Sequence, residues 1–99
     1  MRGHRLAMAA LAIVALLPAC TPTEGTVRGV VTSVDGTFDD ITSFTVLVEG
    51  SEVRFEVVEG GDYGFPLSHL REHMRTGQPV FVEWELVGTV QYALSLRDG

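Results

Sequence analysis

Ile41-Thr42-Ser43-Phe44-Thr45-Val46-Leu47-Val48-Glu49-Gly50-Ser51-Glu52-Val53-Arg54-Phe55-Glu56-Val57 decides the fold. In its first half Phe44, Val46 and Val48 alternate with Thr45, Leu47 and Glu49; in its second half Val53, Phe55 and Val57 alternate with Arg54 and Glu56. A period of two places the first set of each half on one face, the signature of a half-buried strand. Gly50-Ser51 between the two runs puts glycine first, as a type II′ turn requires, and predicts an antiparallel hairpin.

Upstream, Val27 to Val34 is short and rich in β-branched residues, and it runs into Asp35-Gly36, a turn pair. It reads as the first strand, with Gly29 as a bulge. Thr37 to Asp40 continues the loop. Downstream, Glu59-Gly60-Gly61-Asp62 breaks the third strand, and after Tyr63-Gly64-Phe65 the period changes. Pro66 suits the first turn of a helix, which needs no amide donor from it, and Gly77 suits a left-handed cap. Between them Leu67, Leu70 and Met74 fall within about 60° on a helical wheel, a narrow stripe able to plug a barrel end. Val80, Val82, Trp84 and Leu86 then alternate with Phe81, Glu83 and Glu85, and Tyr92, Leu94 and Leu96 with Ala93, Ser95 and Arg97. These are strands four and five, joined near Gly88-Thr89, with Trp84 in the inward register.

Three strands, a helix and two strands form a mainly β domain whose element order resembles the OB-fold, a small five-stranded barrel with its helix between strands 3 and 4. An SH3-like barrel or another small β-roll is the alternative. The OB resemblance implies a ligand face across strands two and three, flanked by the loops Asp35 to Asp40 and Val87 to Gln91.

The N-terminus carries a different kind of information. Arg2, His4 and Arg5 precede an unbroken apolar run of twelve residues, Leu6 to Leu17. As a helix it would reach only about 18 Å, short of the roughly 30 Å of a hydrocarbon core. It reads as a signal-peptide core. Leu17-Pro18-Ala19-Cys20 follows, and Cys20 is the single cysteine of the chain. This stretch resembles the lipobox of bacterial lipoproteins. The resemblance implies cleavage after Ala19 and lipidation of Cys20 by long acyl chains such as palmitate, which hold a protein at a membrane. The expected organisation is a signal peptide over 1–19, a lipidated cysteine and polar tether over 20–26, and the barrel over 27–99. Its expected location is extracytoplasmic, on a bacterial membrane.

Without residues 1–19 the chain keeps five arginines, no lysine and thirteen acids, a net charge of −8. Binding to phosphate backbones depends on basic counter-charge, so nucleic acid is excluded as a partner class. Anionic headgroups repel such a surface too, leaving membrane attachment to the lipid.

His69-Leu70-Arg71-Glu72-His73 matches H-x-x-E-H, a zinc-protease pattern in which two histidines hold the metal and the glutamate activates water. On a helix the histidines share a face, at a spacing that suits one ion. A catalytic centre needs a third ligand, and no second helix is in view to supply it. The ordinary reading is a solvated helix side, about 100° from the Leu67/Leu70/Met74 stripe. Asp35, Asp39 and Asp40 cluster in one expected loop, without the spacing of an EF-hand. Phe38, Tyr63, Phe65 and Phe81 are the aromatics expected in loops or on the charged side of strands, where recognition patches are built. No G-x-S-x-G is present, and Ser68 beside His69 has no third partner in view.

These readings point to a non-catalytic lipoprotein with no bound cofactor, which engages a protein of the cell envelope. A metal-binding protein or hydrolase using His69, Glu72 and His73 is the alternative, and it requires a carboxylate within reach of both imidazoles. A structural spacer domain of an envelope complex is the third.

Overall fold

A computed structural model describes residues 21–99. The stretch read as a signal peptide, Ala19 and Cys20 therefore lie outside the described residues. Strands β1 (Glu24–Thr37), β2 (Asp40–Val48), β3 (Ser51–Val57), β4 (Val80–Val87) and β5 (Val90–Asp98) close into a barrel, and the helix α1 (His69–Thr76) joins β3 to β4. The order around the barrel is β1-β2-β3-β5-β4, returning to β1. Every pairing is antiparallel except β3 with β5, which meet in parallel at Glu56↔Tyr92 and Val57↔Ala93. Among the described residues no helix is long and apolar enough to cross a membrane.

β1 is longer than expected at both ends because it serves two neighbours. Glu24 to Gly29 pair with β4, whereas Val30 to Thr37 pair with β2. The strand thus begins inside the stretch read as a tether, where Gly25 and Thr26 pair with Trp84 and Glu83. The change of partner falls at Gly29, and a Cβ there would lie 2.2 Å from the Leu47 carbonyl oxygen and 2.7 Å from a Val46 methyl. Gly29 therefore permits close backbone approach and is not a bulge. The irregularities of β1 lie elsewhere, between Val31 and Ser33 and between Asp35 and Gly36.

The β2–β3 hairpin forms with its turn one residue earlier than expected. Val48 pairs with Ser51, leaving Glu49 and Gly50 as the loop, at φ 49° and 86°. Two positive φ values define a type I′ turn, whose twist matches that of the strands. Gly88, at φ 67°, opens the turn between β4 and β5.

The alternation of the hairpin is the core. Phe44 and Phe55 face each other across β2 and β3 with ring centroids 5.6 Å apart, and both are fully buried. Val31, Val46, Val80, Val82, Ala93 and Leu96 surround them, with Leu70 entering from the helix. Each large side chain so buried contributes about 1.5 to 3 kcal/mol. Tyr63 is also inside. Its hydroxyl accepts the Val58 amide at 2.6 Å and lies 3.3 Å from the Val58 carbonyl, which satisfies its polar end.

Candidate functional site

The link to α1 starts at Pro66. Amides of His69, Leu70 and Arg71 donate to carbonyls of Pro66, Leu67 and Ser68, a tight first turn that the helix then continues. Gly77 ends it in the left-handed region at φ 78°, its amide bonded to the His73 carbonyl. That reversal returns Gln78 to the side of the helix it has just left.

Leu70 and His73 form the buried face of α1, and Met74 points outward with 40% of its surface exposed. The stripe expected from hydropathy is thus rotated, and His73 is 1% exposed instead of solvated. Burial of a polar ring is tolerated here because both nitrogens find partners. Nδ1 lies 2.7 Å from the Gln78 carbonyl, and Nε2 lies 2.6 Å from Oδ1 of Asp98.

Asp98 arrives through the barrel. It is the last residue of β5 and pairs with Val80, two residues beyond Gln78. His69 Nε2 lies 3.3 Å from the same Oδ1. The three ligand atoms of His69, His73 and Asp98 all lie within 4.8 Å of one another. Phe65 walls the group, edge-on to His69 at 5.0 Å and stacked on His73 at 5.9 Å.

A carbonyl only accepts, so Nδ1 of His73 carries the hydrogen toward Gln78. Nε2 then faces a carboxylate oxygen at hydrogen-bond distance, and that contact requires a positive centre, a proton or a metal ion. The bond from His73 holds the Asp98 carboxyl below the usual carboxylate range; burial opposes the shift, and the charges of His69 and His73 add to it. Glu72, the third member of the sequence motif, is engaged by Arg75 one turn along and does not join the cluster. The carboxylate that the two histidines need comes from a strand end, and no local motif marks it.

The four aromatics fall in four different settings. Phe38 occupies the β1–β2 turn with 78% of its surface exposed. Arg71 holds that turn from the helix, donating to the carbonyls of Phe38 at 3.0 Å, Thr37 at 3.1 Å and Gly36 at 3.4 Å. Beside Phe38 lies a hollow of about 290 Å³ floored by Ile41, Pro66 and Leu67. Tyr63 is buried and offers no contact surface, because the domain uses it as core. Phe65 packs on the histidines, and Phe81 lies under the guanidinium of Arg97 at 4.1 Å, with Arg28 at 5.9 Å.

The acidic loop dissolves into the hairpin. Asp35 lies in β1 and accepts from Ser43 at 3.0 Å and Arg54 at 3.3 Å, Asp40 opens β2, and only Asp39 stays in the turn. The face expected for a ligand has a hollow of about 400 Å³ between β3 and the β4–β5 turn, with Glu52, Arg54, Glu56 and Gln91 in its lining. Comparison with protein-family models, curated proteins and solved structures finds no match.

Proposed function

We propose that the chain is a non-catalytic interaction module, anchored by lipid on Cys20 outside the cytoplasm, that captures a protein of the cell envelope through Phe38 and the adjoining hollow. The observation that carries this reading is the fixed presentation of Phe38. A lone exposed phenylalanine is unremarkable on a surface. Here the hairpin tip bearing it is tied to α1 through three carbonyls and one guanidinium, so little backbone freedom is left to lose on binding. Covering the ring contributes about 1.5 to 3 kcal/mol, and the hollow beside it accepts a side chain from the partner. The acidic surface steers association toward basic patches.

In-cell crosslinking of the anchored protein tests the reading. A defined partner captured by the natural chain and by Phe81→Ala, and lost in Phe38→Ala, supports it. Equal capture by Phe38→Ala removes the proposed face and leaves a spacer domain as the better account. Metabolic labelling with an acyl analogue tests the anchor; a Cys20→Ser chain that still takes up label would overturn it.

A further inference from the structure

We propose that His69, His73 and Asp98 form a binding site for a divalent transition-metal ion, Zn²⁺ being the best chemical fit, with solvent completing the coordination. The inference is independent of the Phe38 reading and uses other residues.

The donor set is the first ground. Two imidazole nitrogens and one carboxylate oxygen suit Zn²⁺ and its neighbours, whereas Ca²⁺ and Mg²⁺ favour all-oxygen sets. Orientation is the second. His73 has its Nδ1 committed to the Gln78 carbonyl at 2.7 Å, the outer-shell bond that fixes a metal-binding histidine with Nε2 forward. His69 also presents Nε2, since this is the atom that approaches Asp98. Both rings therefore offer the same atom to one point. The third ground is reach. Ligand bonds of roughly 2.0 to 2.1 Å in a tetrahedron place neighbouring donors about 3.4 Å apart. His69 Nε2 and Asp98 Oδ1 are already at 3.3 Å, while His73 Nε2 and the same oxygen are at 2.6 Å. The remaining adjustment falls on Asp98 and His69, whose side chains are 57% and 41% exposed. His73, the ligand that cannot move, is the one already aligned.

The open side is the exposed one, and it leaves a coordination position to water. Phe65 adds an apolar ring beside both imidazoles, edge-on to His69 and stacked on His73. Among the described residues no second carboxylate joins the cluster, so general-base chemistry is not part of the proposal.

The test is calorimetric titration of Zn²⁺ into the full chain in detergent micelles after chelator treatment. All samples carry Cys20→Ser, which removes the one thiol. One equivalent should bind with a dissociation constant near or below about 1 μM. His69→Ala and Asp98→Asn should each weaken binding about tenfold or more, while Phe81→Ala leaves it unchanged; both ligand changes fall on partly exposed side chains and spare the core. Ca²⁺ and Mg²⁺ should give no saturable heat. In parallel, nitrogen-15 NMR of the natural imidazoles should show Zn²⁺ moving the Nε2 resonances of His69 and His73, with the Nδ1 resonance of His73 still that of a protonated nitrogen. This arm decides the matter even if a variant fails to fold. Absence of saturable Zn²⁺ binding, affinity undiminished in both ligand variants, or shifts confined to His4 would each overturn the site.

Discussion

Nε2 of His73 and Oδ1 of Asp98 lie 2.6 Å apart, and twenty-five residues separate them in the chain. One contact thus joins the buried side of α1 to the end of β5. Because this bond lowers the Asp98 carboxyl below its unfolded value, the associated stability is fully present above the ordinary carboxylate range, near about 3.9. It is lost as pH falls through the lowered folded value. Denaturant midpoints of the natural chain and Asp98→Asn, followed in metal-free buffer from pH 5 downward, should differ at pH 5 and converge in acid. A gap that widens in acid would contradict this.

Arg71 should matter more to the β1–β2 turn than to the helix that carries it. Replacing it with Lys keeps the charge but cannot serve three carbonyls from one planar fork. Hydrogen exchange at Phe38 and Asp39 should rise in Arg71→Lys and Arg71→Ala alike, with a stability loss of about 1 kcal/mol, modest because the site is solvated. Unchanged exchange at the turn would show that the hairpin holds itself.

Glu49 sits at φ 49° in the β2–β3 turn, a conformation that asparagine and glycine adopt more readily. Glu49→Asn rebuilds the Asn-Gly pair that type I′ turns favour, and should stabilise the domain by about 0.5 to 1 kcal/mol. Equilibrium denaturation gives the sign directly.

Gly29→Ala should be strongly damaging although it adds a single methyl to the barrel. Its Cβ would fall 2.2 Å from the Leu47 carbonyl oxygen, a backbone atom that cannot swing away. Relief requires β1 and β2 to separate where β1 changes partner, at a cost of about 3 kcal/mol or more. Thermal unfolding of Gly29→Ala against Gly60→Ala separates the two causes. A Cβ at Gly60 meets nothing within 4 Å, so that variant reports backbone strain at positive φ without a clash.

Local rules were sufficient where one face of an element decides its fate. The alternation around Phe44, Val46 and Phe55 and the inward positions Val80, Val82 and Leu96 were legible because a strand has only two sides. Pro66 and Gly77 bracketed the helix for equally local reasons. The turn at Glu49-Gly50 was displaced by one residue because strand twist, not glycine position alone, selects the type I′ form.

The sequence by itself determined the order of elements, the hairpin, the inward faces of β2 and β3 and an acidic surface, all of which depend on residues a few positions apart. In β5 the register shift beside Trp84 instead buries Ala93 and leaves Leu94 exposed, against the expected alternation. Only the tertiary structure decided that His73 turns inward and Met74 outward. Hydropathy ranks them the other way, and the reversal depends on partners that the helix does not contain. The Gln78 carbonyl returns through the Gly77 turn, and the Asp98 carboxylate arrives when β5 pairs with β4. A buried polar ring is stable only when its hydrogen bonds are completed, and these are completed by closing the barrel.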